Sequence, residues 1–155
     1  MLKEHALSLS NRGHFLEEEE IFGMRGGRDK FMSLFCYDES VKEYVAKKGK
    51  IAGYDGILYL AKEHILDVDG ESFQDAKDKL EDLLALLSNL SVPYKIFFSG
   101  RGFHVSIDPA SFMWEPHKNL HSYIKDALQA KGVFKFADPS VTDKTRIIRM
   151  NNTCL

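Results

Sequence analysis

The sequence predicts an α+β fold, an antiparallel or mixed sheet with helices packed on one face. Three observations predict it. Short apolar, β-like runs stand at residues 57–60, 64–69, 94–99 and 103–107. Two stretches, after Ser72 and after Pro116, carry apolar residues at three- and four-residue spacing. Their order from residue 57 is strand, helix, hairpin, helix, strands, which places helices over one sheet face and leaves the other open.

Residues 1–35 are polar, glycine-containing and weakly periodic, and read as short helices joined by an exposed loop at Arg25-Gly26-Gly27-Arg28. Ser40 opens a short helix through about residue 48, with Val41, Tyr44 and Val45 at helical spacing before Gly49 ends it. After the strands at 57–60 and 64–69, Gly70 turns the chain and Ser72 or Glu71 starts a long amphipathic helix. Its stripe is Phe73, Ala76, Leu80, Leu83, Leu84, Leu87 and Leu90, and Pro93 stops it. The runs 94–99 and 103–107 form a hairpin whose turn glycines are Gly100 and Gly102. A second helix over residues 116–131 carries Leu120, Tyr123, Ile124, Ala127 and Leu128, and Gly132 ends it. Residues 133–136 and 145–150 are the last two strand candidates.

The chain has 155 residues, enough for one domain with its own core. Cys36 and Cys154 form neither a CxxC pair nor a Cys/His cluster, so no zinc site is expected and a reducing compartment is. No apolar run approaches the roughly 20 residues of a membrane span, and the first residues lack a signal-peptide core. A soluble, cytoplasmic protein without a membrane partner is the expectation. The net charge of -2 hides an asymmetry: residues 91–155 carry 9 Lys and Arg against 5 Asp and Glu, whereas residues 1–90 carry 12 against 18. The C-terminal part suits an anionic ligand.

The chemistry-bearing residues stand at strand edges. Asp67 and Asp69, two apart in a strand, point to one side with Cα atoms roughly 6–7 Å apart, close enough to converge on hard cations. Taken alone, the pair also describes a strand end before a turn glycine. Ser99 and His104 flank Gly100-Arg101-Gly102, whose backbone N–H groups can cradle an anion while Arg101 reaches it. Asp138 ends the 133–136 run and offers a third carboxylate, although Pro139 also makes it an ordinary terminator. Arg146 and Arg149 interrupt an apolar strand, and arginine is seldom buried without an anionic partner. Their spacing puts them on opposite faces, so one is expected to bind ligand, Arg146, and the other to pair within the protein. Lys95, Lys135, Lys144 and the 25–28 loop are basic candidates for contacting a nucleic-acid backbone.

In that order, Leu66-Asp67-Val68-Asp69, then Ser99-Gly100-Arg101-Gly102-Phe103-His104, then Asp138 with Arg146-Ile147-Ile148-Arg149 behind it, the residues resemble the three motifs of the archaeo-eukaryotic primase superfamily. The resemblance spans about residues 51–152 and is nearest to plasmid and phage members, including their replication setting. It implies an RRM-like palm sheet beside a small N-terminal α/β unit, here a single domain over residues 1–155 with the unit at 1–50 and the core at 51–155. It implies that Asp67, Asp69 and Asp138 bind two Mg²⁺ or Mn²⁺ ions. It also implies that Ser99, Gly100, Arg101, Gly102, His104, Arg146 and Arg149 form the nucleotide site. The implied activity is template-directed nucleotidyl transfer with release of pyrophosphate. The implied partners are an NTP or dNTP, a single-stranded DNA template and primer, and a helicase or second primase subunit. A two-metal nuclease would use the same acids without needing the phosphate-cradling hairpin. A non-catalytic RRM-like binding module would instead display sheet-face aromatics such as Phe97.

Overall fold

The computed structural model describes residues 1–24 and 29–151. The fold is α+β and holds two antiparallel sheets. The first is built around β1 (Leu2–Ala6), which pairs with β2 (His14–Glu17) on one edge and with β3 (Phe31–Ser33) and β4 (Phe35–Tyr37) on the other. The register slips by two residues between His5↔Met32 and Leu2↔Tyr37. Ser33 fills this bulge: its hydroxyl accepts the Glu4 N–H at 3.0 Å and donates to the Phe35 carbonyl at 2.7 Å. On the far edge the partner changes at the bulge, so that β5 (Leu58–Leu60) lies on β4 and β9 (Ile147–Arg149) lies on β3. Residues from both sides of position 50 therefore share one sheet, and the division expected there is not a sheet boundary.

The first 35 residues correct the expectation of short helices around a loop. The described ones among them supply three strands, the start of a fourth at Phe35, and one helix, α1 (Glu18–Gly23). The helical expectation failed because β1 hides its pattern: Lys3 and Glu4 are both fully buried. Lys3 Nζ lies 4.0 Å from Glu18 and 5.7 Å from the Phe22 ring centre, and Glu4 takes Arg12. Charged residues tolerate burial when so paired, and the polar-out alternation of a half-buried strand is lost. The Arg25–Arg28 loop and Cys154 lie outside the described residues.

The second sheet is as the sequence predicts. β6 (His64–Val68), α3 (Phe73–Asn89), β7 (Tyr94–Phe98) and β8 (Phe103–Ile107) follow in order, with β8 between β6 and β7. The β6–α3–β7 crossover thus joins two parallel strands around an antiparallel third. Ser72 caps α3, its hydroxyl accepting the Asp75 N–H at 3.1 Å. Ala76, Leu80, Leu83 and Leu87 bury the helix against β6 and β8. The second helix, α4 (Leu120–Ala130), is shorter than the expected 116–131, buries Leu120, Ile124 and Leu128, and packs on β5.

Residues 133–136 are not a strand. Gly132, at φ +81°, turns the chain out of α4 into a 3₁₀ turn at Val133–Lys135. A second 3₁₀ turn follows at Pro139–Thr142. The edge of β6 receives one backbone bond from this segment, Asp138 N–H to the Asp67 carbonyl at 2.9 Å. Nor is the sheet face opposite α3 wholly open. Ile65, His104 and Ser106 lie on it and are buried. Phe97 and Lys95 share a small hollow there with Phe22, Met32 and Met150.

Candidate functional site

What remains open between the two sheets is a cleft of about 930 Å³. The second sheet brings Asp67, Asp69, the Ser99–Arg101 turn and His104 to it. The first sheet and its flanking loops bring Arg12, Phe31, Asp143 and residues 145–149. One wall therefore carries acids and the hairpin turn, and the other carries arginines.

Strand register puts Asp67 directly opposite His104 on the face turned away from α3. His104 Nε2 lies 3.7 Å from Asp67 Oδ1, and both side chains are largely buried. The other ring nitrogen, Nδ1, is 2.9 Å from Asn151 Oδ1. With Nδ1 so engaged, Nε2 is the nitrogen presented to the cleft. Burial holds the Asp67 carboxyl above the ordinary carboxylate range, and the charges of Asp69 and Asp138 add to the rise; His104 and Arg146 oppose it. Carboxylates crowded in this way, with an imidazole beside Asp67, are a donor set suited to a hard divalent cation.

The turn is built tightly against the acids. Gly100 has φ +105° at the first of two central positions, a backbone conformation that glycine adopts without strain. Ser99 N–H donates to the Gly102 carbonyl at 3.0 Å, and the Ser99 hydroxyl accepts the Gly102 N–H at 3.2 Å. A Cβ on Gly102 would overlap the Val68 carbonyl and lie 2.6 Å from Asp69 Oδ1, so glycine there is what lets the turn lie on the Asp69 carboxylate. The Ser99 oxygen is thus committed to the turn while its proton stays free to donate. Arg101 is exposed at the turn and makes no hydrogen bond or ion pair among the described residues.

Arg146 and Arg149 are placed differently. Arg146 is exposed in the cleft, and its side chain makes no hydrogen bond or ion pair among the described residues. Arg149 is engaged: Nη2 lies 3.6 Å from Asp29 and Nη1 donates to the Ser99 carbonyl at 3.3 Å. It ties the first sheet to the hairpin turn at the cleft floor.

Asp138 is placed differently from Asp67 and Asp69. Its carboxylate accepts the Ser140 N–H at 2.9 Å and the Ser140 hydroxyl at 2.8 Å, capping the second 3₁₀ turn. It lines an adjoining hollow of about 300 Å³ together with Asp69 and Lys79. Among the described residues no three His, Cys, Asp or Glu side chains are drawn into a ready ligand set.

Four participants escaped sequence reasoning: Glu4, Arg12, Asp143 and Asn151. Asp143 lines the cleft itself. Arg12 and Asn151 are not distinguished locally from surface polar groups, because their partners lie far away in the chain, Arg12 binding the Thr145 carbonyl at 2.7 Å and Asn151 binding His104 at 2.9 Å. No helix among the described residues is long and apolar enough to cross a membrane. Comparison of the chain with protein-family models, curated proteins and solved structures found no match.

Proposed function

We propose that the chain is the catalytic core of a primase–polymerase, a metal-dependent nucleotidyltransferase directed by a DNA template. One observation carries this reading: half-buried Asp67, exposed Asp69 and the 99–102 turn lie on one wall of a single cleft, with Arg146, free of side-chain partners among the described residues, on the other. Such a cleft suits a substrate that is a polyanion and brings cations with it.

Asp67 and Asp69 would hold divalent ions, with Asp138 joining them on release of Ser140. When bound, such ions supply charge neutralisation and lower the pKa of an attacking hydroxyl. Arg101 and Arg146 bind the triphosphate from opposite walls. The Ser99 hydroxyl and the turn's N–H groups donate to its oxygens. His104, oriented by Asn151, turns Nε2 to the same place. In the reaction the primer 3′-hydroxyl gives its proton to solvent as its oxygen forms a bond to the α-phosphorus, the bond from that phosphorus to the β-bridging oxygen breaks, and pyrophosphate leaves. The protein's share is alignment and electrostatics.

The test is incubation with labelled NTPs or dNTPs, Mg²⁺ or Mn²⁺ and a single-stranded template, with and without a primer. Template-dependent product and stoichiometric pyrophosphate support the reading. Degradation of the template without incorporation would replace it with the nuclease. A non-catalytic nucleotide-binding module is the second reading, favoured by the Asp138 carboxylate being already occupied by Ser140. It predicts saturable triphosphate binding with no product under either metal.

A further inference from the structure

We propose that Glu4 and Arg12 are positioning residues for Arg146, an assignment that rests on the phosphate role given to Arg146 above. Three successive carbonyls in the segment that carries it accept hydrogen bonds from the first sheet and its flanking loop. The Tyr37 hydroxyl donates to Lys144 at 3.1 Å, Arg12 Nη2 to Thr145 at 2.7 Å, and the Leu34 N–H to Arg146 at 3.2 Å. With its carbonyls held on that side, the segment turns the Arg146 side chain into the cleft. The Arg146 N–H donates to the Asp143 carbonyl at 3.1 Å and closes the loop.

Arg12 is the charged donor of the three and makes the shortest bond. It is itself oriented by Glu4, which is completely buried: Nε donates to Oε1 at 3.1 Å and Nη2 to Oε2 at 2.6 Å. The Gly13 N–H occupies Oε1 as well, at 2.8 Å. The guanidinium therefore joins a carboxylate fixed in the central strand to a carbonyl beside Arg146. Only a planar fork does this, since an ammonium offers one donor point on a flexible stem. Arg146 makes no side-chain bond among the described residues, so its backbone decides where its guanidinium starts from. An arginine held in this way loses less freedom when it closes on a phosphate.

Arg12→Lys, Arg146→Ala and the double variant test this through amide hydrogen exchange and calorimetric titration with ATP and Mg²⁺. Arg12→Lys is expected to speed exchange at the Arg146 amide at least tenfold, with the amides of β8 unchanged, and to weaken ATP binding several-fold. In the Arg146→Ala background the same substitution changes ATP affinity less than twofold. Unchanged exchange, or an equal loss of affinity in both backgrounds, overturns the proposal while leaving the nucleotide reading in place. An unaltered chain that binds no ATP removes the nucleotide reading and this proposal with it. If Arg12→Lys does not fold, Glu4→Gln/Arg12→Gln, which leaves no unpaired buried charge, carries the same expectations.

Discussion

Replacing Asp67 by Asn tests the cation account with a sign that ordinary damage does not produce. Burial first, and Asp69 next, hold the Asp67 carboxyl above its ordinary value of 3.8, so its charge is a cost to the metal-free protein. Residues two apart on a strand have Cα atoms about 6.7 Å apart. Two like charges at about that distance repel by roughly 0.6 kcal/mol in water and roughly 2.5 kcal/mol at an effective dielectric constant of about 20. We take about 1 kcal/mol as the relief. For 155 residues the unfolding entropy is about 330 cal/mol/K, so the metal-free variant should melt about 3 °C higher. The folded state holds the Asp67 proton to higher pH than the unfolded chain does. Metal-free stability therefore falls as pH rises through the window above 3.8, and Asn removes that slope. If the acids hold a divalent ion, the native protein should gain what the variant cannot: an ion at tenfold excess over its Kd adds about 1.4 kcal/mol, or about 4 °C. Melting at pH 8 in EDTA, Mg²⁺ and Mn²⁺ reads both effects. A variant that melts lower in EDTA yet keeps the metal-dependent rise would refute the reasoning.

Arg146→Ala removes a charge-assisted contact of roughly 1.5–3 kcal/mol, so triphosphate binding should weaken roughly 10- to 150-fold by calorimetry while the metal-dependent rise in Tm persists. Gly102→Ala drives a methyl group into the Val68 carbonyl and the Asp69 carboxylate. It should cost about 1–3 kcal/mol in urea unfolding and blunt the metal response, whereas a change in neither would mean that the turn is not seated on Asp69. His64 is fully buried, its Nε2 has no hydrogen-bond partner among the described residues, and burial lowers its pKa from 6.5 to about 4. Its contribution is complete above pH 6.5 and is lost as pH falls towards 4, up to about 3 kcal/mol. His64→Leu should flatten that acid limb in melts between pH 4.5 and 7, and an unchanged limb would assign the acid sensitivity elsewhere.

The elements legible in the sequence are those whose stability is local or patterned. α3 announces itself through Ser72 and its four buried positions, and the hairpin through Gly100. The strand β1 was illegible because Lys3 and Glu4 bury charge against partners at Glu18 and Arg12. Residues 133–136 alternate like a strand, yet the left-handed Gly132 winds them into a turn. Within the site, Asp67 and His104 could be placed because strand register carries them. Ser99 and Gly102 followed from the turn. Arg149 became intelligible only through Asp29 and the Ser99 carbonyl, both far away in the chain. The committed Asp138 carboxylate depends on Ser140, whose role in a 3₁₀ cap the strand expectation concealed.

Nucleotide incorporation on a single-stranded template, with the native chain and Asp67→Ala/Asp69→Ala run side by side in Mg²⁺ and in Mn²⁺, tests the central claim most directly. Extended products are expected from the native protein and none from the double variant, with both proteins retaining the same circular dichroism spectrum. Equal product from the two proteins would contradict it.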